Sequence, residues 1–142
     1  MAKGTWHAKA RKELVFKYEQ MGYKTEFSHG DKRIQLSRGP VSRVTFLSGV
    51  NIVLLKDDVV AEIMEIQDHG LTPRDVIGMI KATDLCDQCK IEGRVYPLSN
   101  VELTIALKRP KPPSKKVEQM QLIKDSLKLD GCLKNFKFEW IY

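Results

Sequence analysis

Residues 51–67, NIVLLKDDVVAEIMEIQ, hold Asn51, Glu62, Glu65 and Gln67 in a stretch that is otherwise mostly apolar. A bare carboxylate among apolar neighbours loses several kcal/mol of hydration unless something pairs with it. For Glu65 a divalent cation is one such partner. Others are an arginine such as Arg43 or Arg74, or simple exposure at the end of a sheet. The chemistry open to such a group is the binding of a hard cation through oxygen.

The chain has 142 residues, 24 Lys and Arg against 18 Asp and Glu, and a net charge of +6. A basic balance favours an anionic partner, nucleic acid first. Two segments concentrate it: SHGDKRIQLSRGPVSR, with Lys32, Arg33, Arg38 and Arg43, and KRPKPPSKK, with Lys111, Lys115 and Lys116. With Arg74, these are the candidate phosphate contacts. The ordinary alternative for each is a solvated charge.

Cys86 and Cys89 have the spacing of half a zinc site, but no second ligand pair accompanies them. They read as buried or incidental thiols. An odd cysteine count of three argues against a disulfide framework and suits a reducing cytoplasm. No apolar run has the length of a membrane span, so no membrane partner is expected. Hydrophobic content of 42% and charged content of 30% suit one folded domain over 1–142.

Which elements position these residues? Thr5 can cap a helix from Trp6 to about Met21, stopped by Gly22. Trp6, Ala10, Leu14, Tyr18 and Met21 form its apolar side. Strands are expected at 23–27, at 33–36 as a short one, and at 44–47. Residues 51–67 read as a hairpin. Thr72 and Pro73 open a helix to about Leu85. Residues 101–107 form a further strand, 115–129 a helix, and NFKFEWIY a last strand at a sheet edge. The expected fold is α/β, an open mixed sheet flanked by helices in the order α-β-β-β-α-β-α-β.

With a three-residue turn at Lys56, Asp57 and Asp58, Leu55 faces Val59, Asn51 faces Ile63 and Gly49 faces Glu65. Alternation then puts Asn51, Ile63, Glu65 and Gln67 on one face, and Glu62 on the other.

A helix, then a hairpin with a polar residue opening its first arm and Glu65-Ile66-Gln67 ending its second, resembles the PD-(D/E)-x-K nucleases of the restriction-endonuclease-like fold. The likeness covers about Trp6 to Leu107, including the LTPRDVIGMI helix. The family places an Asp where this chain has Asn51, and a Lys where it has Gln67. The resemblance implies a metal-dependent DNA endonuclease that uses Mg²⁺ or Mn²⁺. Glu65 and Asn51 are then the metal ligands, Gln67 orients a water, and Glu13 on the first helix is an added carboxylate. The residue-level reading of Glu13, favoured over that role, is an ordinary surface carboxylate pairing with Lys9 or Lys17 at helical spacing. Arg74, Lys81 or Arg43 are candidates to replace the missing Lys charge. Asn51 leaves open an engineered change, a natural binding-only relative, or a chance likeness of a short motif. The alternative function is a non-catalytic nucleic-acid-binding protein on the same fold. Cleavage of both strands of a duplex would call for a homodimer with one site per strand.

Overall fold

The computed structural model describes residues 2–29, 32–38, 44–48, 50–67, 73–98, 101–108, 115–129 and 136–141. The first element is helix α1 (Ala2–Gln20). It ends in a Schellman arrangement: Tyr23 N–H donates to the Tyr18 carbonyl and Gly22 N–H to that of Glu19, each at 3.1 Å. Gly22 holds φ at 95°, a left-handed value that glycine reaches without strain. The rings of Tyr18 and Tyr23 close the cap edge to face, 6.0 Å apart. Ala10, Leu14 and Tyr18 are buried as the periodicity predicts, but Met21 lies past the helix and is exposed.

Strands β1 (Lys24–Phe27), β2 (Ile34–Arg38), β3 (Val44–Ser48), β4 (Ile52–Lys56) and β5 (Val59–Gln67) follow. Helix α2 (Pro73–Leu85) comes next, then β6 (Gln88–Ile91), β7 (Arg94–Pro97), β8 (Glu102–Lys108), α3 (Lys116–Leu129) and β9 (Phe136–Ile141). The main sheet has the order β1-β4-β5-β8-β9. Its first three strands are antiparallel, while β8 runs parallel to β5 and β9 parallel to β8. The second sheet, β3-β2-β6-β7, is antiparallel throughout.

The mixed α/β architecture is as expected, but the order is richer. The β6–β7 hairpin is not among the expected elements, and β2 leaves the main sheet to pair with β6, carrying β3 with it on its other edge. Its tight turn places Glu92 and Gly93 at φ 47° and 82°. Such short strands carry too few residues to show an alternation in sequence.

Two cores result. Ile52, Leu54, Met64 and Ile66 pack with Ala106 and Ile141 against Ala10, Leu14 and Tyr18 of α1. On the opposite face Val53, Leu55, Ile63, Leu103, Ile105 and Leu107 pack with residues of α2, α3 and the second sheet. The alternation along β4 and β5 decides which side chain joins which core. Among the described residues no helix is long and apolar enough to cross a membrane.

Candidate functional site

The β4–β5 hairpin differs from the expected one in two ways. Its turn has two residues, Asp57 and Asp58, at φ 53° and 61°, the left-handed pair typical of a type I′ turn. Lys56 therefore pairs with Val59 and Leu55 with Val60. An irregularity then skips Ala61, so that Leu54 pairs with Glu62, Val53 with Ile63 and Ile52 with Met64. Continuing the register one step sets Asn51 opposite Glu65, correcting the expected Asn51–Ile63 pairing. Gly49 lies outside the described residues. Each change slips the register by one residue, and two slips preserve the face. Asn51 and Glu65 therefore share a face, as parity predicts.

The backbone before Asn51 is held from two sides. The Ser28 hydroxyl donates to the Val50 carbonyl at 2.5 Å and accepts from Ile34 N–H at 3.1 Å. Val50 N–H donates to the Ile34 carbonyl at 3.1 Å. This clamp joins the end of β1 to the starts of β2 and β4. Nothing in the spacing of Ser28 announced it.

At the site, Ile66 N–H donates to Asn51 Oδ1 at 2.6 Å. The Asn51 backbone N–H donates in turn to the Glu65 carboxylate. Glu65 is only 8% exposed, and its Oε1 is buried without a hydrogen-bond partner among the described residues. Burial pushes its carboxyl up to about 7, opposed in part by the Asn51 N–H. Gln67, half-buried at the end of β5, continues the same alternation.

Glu13 does not join them. It is exposed on α1, which covers the other face of the sheet. There it lines a shallow pocket with Leu14, Lys17, Glu139, Trp140 and Ile141. Glu62 lies on the face opposite Glu65, as alternation predicts, and that is the face α1 covers. It accepts a short hydrogen bond from the Thr104 hydroxyl and lies 3.8 Å from Lys137 Nζ. Burial raises its carboxyl above the ordinary range, against the Thr104 hydrogen bond and the Lys137 charge. Among the described residues this second buried carboxylate is thus partnered and Glu65 Oε1 is not.

The basic candidates separate likewise. Lys32 Nζ pairs with Glu26 at 2.7 Å, both side chains being largely covered. Arg38 Nη1 donates to the Leu85 carbonyl at 3.0 Å, at the C-terminus of α2, where the helix dipole favours a cation. Arg33, Arg74, Lys81 and Lys115 are exposed, and Lys116 is half-buried. Arg43 and Lys111 lie outside the described residues. Cys86 and Cys89 are buried as read, with thiols pushed by burial up to about 11 and 12.

Among the described residues no three His, Cys, Asp or Glu side chains gather as a ready metal cage. Among the described residues the site offers Glu65 Oε1, which has no hydrogen-bond partner there, and the neutral Asn51 Oδ1, with the Gln67 amide further along the same face. That set suits a cation that keeps several of its own waters, which is the habit of Mg²⁺. No family model matches the chain, and comparison with curated proteins and with solved structures likewise returns no match.

Proposed function

We propose that this chain acts on nucleic acid through a PD-(D/E)-x-K-type site on a restriction-endonuclease-like scaffold, as a metal-dependent DNA endonuclease weakened by Asn51. The observation that carries the reading is the buried Glu65 Oε1, without a hydrogen-bond partner among the described residues and directly across from Asn51. The element order supports it: a leading helix, a hairpin opened by a polar residue, and a crossover through α2 to a parallel strand. Glu65 and Gln67 also sit at the C-terminal end of β5, which runs parallel to β8. Open α/β sheets bind their ligands at the carboxyl ends of such strands.

Glu65 would hold Mg²⁺ or Mn²⁺ through Oε1, with Asn51 Oδ1 as a neutral second oxygen and Gln67 orienting a water. The bound ion would supply charge neutralisation at the phosphate and a more acidic water. Exposed Arg33, Arg74 and Lys115 would contact phosphates, and Arg74 or Lys81 would stand in for the family's lysine charge.

A second reading is a binding-only protein on the same scaffold. It is favoured by the Ile66 N–H bond to Asn51 Oδ1, which gives the amide a structural role. Cleavage of several DNA forms with Mg²⁺ and with Mn²⁺ separates the two. Under the nuclease reading Asn51→Asp raises metal-dependent cleavage. Glu65→Ala in that background then lowers it by at least about a thousandfold, roughly 4 kcal/mol of barrier. If Asn51→Asp leaves every substrate uncut while DNA binding persists, the binding-only reading replaces it.

A further inference from the structure

Strand β9 is the end strand of the main sheet, and among the described residues only β8 pairs with it. Its outer edge presents backbone donors and acceptors that another strand can complete. The sequence along it, Phe136-Lys137-Phe138-Glu139-Trp140, is unusual in being self-complementary about its centre. Run against a second copy with Phe138 on the two-fold axis, Lys137 of each copy meets Glu139 of the other. Phe136 meets Trp140, and Phe138 meets its own symmetry mate.

We propose that two copies of this chain pair antiparallel through β9, joining their main sheets into one continuous sheet. Opposite charges and aromatic pairs directly across an antiparallel ladder each stabilise it. A two-fold contact requires this kind of self-complementarity, because the same patch serves on both sides. Edge charges that merely repel a second strand need no such symmetry. Here the signs differ and are placed evenly about Phe138.

The side chains are disposed for it. Phe138 and Trp140 are only partly covered by their own chain's core. Lys137 keeps 39% of its side chain exposed, and its carboxylate neighbours Glu102 and Glu62 lie at 3.5 and 3.8 Å. Both contacts to Glu139, from Tyr18 and Lys17, fall on Oε1.

The pairing also arranges the two candidate sites. The ladder aligns Glu65 with Ile105, and Ile105 with Phe138. Each Glu65 therefore lies on the strand-to-strand line through the axis, and both occupy the same face of the joined sheet. Five strand spacings separate them, roughly 24 Å before sheet twist is counted. The use of two sites for two strands rests on the nuclease reading; the dimer itself does not.

The test is the mass of the full chain in solution, by sedimentation equilibrium, without nucleic acid or metal. A contact of this size belongs to the weak class, so the series should reach about 500 µM. The expected result is a concentration-dependent doubling of mass. Lys137→Glu alone and Glu139→Lys alone each set like charges across the axis, and each should remove the dimer. Mixing the two variants one to one re-creates two opposite-charge pairs and should restore it. Circular dichroism checks that both fold. On the unaltered chain, amide hydrogen exchange over 136–141 should slow as concentration rises. A wild-type chain that stays monomeric overturns the proposal. So does a dimer indifferent to both substitutions, a mixture that fails to recover, or exchange in β9 that ignores concentration.

Discussion

Glu65 and Glu62 lie three residues apart on one strand, yet their surroundings give them different chemistry. Glu62 has Thr104 and Lys137, whereas Glu65 has the Asn51 backbone N–H and an Oε1 without a partner among the described residues. With its carboxyl near 7 in the fold, against 4.5 as the ordinary value, Glu65 keeps a proton that the unfolded chain has already released. In chelator the native state thus binds more protons over the window between those values, and stability falls as pH rises from about 4.5 to about 7. Glu65→Gln should flatten that window and leave the protein more stable at pH 8, by something on the order of 3 kcal/mol. Urea melts of both proteins at pH 5 and pH 8 check it; parallel pH profiles would show that Glu65 is not the titrating group. The buried thiols give a simpler expectation at this scale. Cys86 and Cys89, raised by burial, should resist a thiol reagent at pH 7.5 in the native state and react rapidly in denaturant. That Asn51 and Glu65 share a face is legible in the sequence, because strand parity needs only alternation, whereas their direct opposition is not, because it depends on the turn length and on the skipped Ala61. Glu13 was misplaced because a helix period fixes a side chain's direction on its own helix, but not which face of a sheet that helix covers.

At the level of elements, the hairpin shows how a correct face can follow from an incorrect register. A three-residue turn without irregularity and a two-residue turn with a skipped Ala61 differ by two residues, and alternation has a period of two. Asp57 and Asp58 offered no Asn-Gly or Asp-Gly signature, so the turn type was not apparent. Both residues nevertheless hold positive φ, where Asn and Gly are better suited. Asp57→Asn with Asp58→Gly should stabilise the fold by roughly 1 kcal/mol. The Asp58–Arg94 pair lost in the exchange is exposed and 3.7 Å long, so it contributes little. A denaturation midpoint that falls would mean that the turn is held by contacts of the Asp side chains. The three helices and the strands β4, β5, β8 and β9 are legible because each carries enough residues to show a period, although α1 begins at Ala2 and so takes in Thr5 rather than being capped by it. The short β1 is marked by the helix stop at Gly22. The β6–β7 hairpin was missed because its strands have four residues each, and its Glu92-Gly93 turn looks like part of an ordinary polar loop.

For the whole molecule, the net charge of +6 is a weaker guide than the disposition of the charges. Counting basic residues treated Lys32, Arg33 and Arg38 alike, and the fold separates them. Lys32 is paired with Glu26, Arg38 is tied to the end of α2, and Arg33 stands in solvent. Only a charge free to approach a phosphate displaces a condensed counterion, so only such residues should shape the salt dependence of binding. If the chain binds DNA through phosphates, the logarithm of its affinity should fall steeply and linearly with the logarithm of salt concentration. Arg33→Ala, Arg74→Ala and Lys115→Ala should each reduce that slope by about 1 and weaken different sequences equally. Lys32→Ala should act otherwise: it leaves Glu26 without its ion pair, lowering stability while the slope stays near that of the unaltered chain. Fluorescence anisotropy with a labelled duplex and a labelled single strand, across about 50–200 mM salt, reads slope and affinity together. An affinity that is flat in salt would remove nucleic acid as the partner, and with it both functional readings. A slope that drops with Lys32→Ala but not with Arg33→Ala would place the phosphate path across the Glu26–Lys32 surface instead.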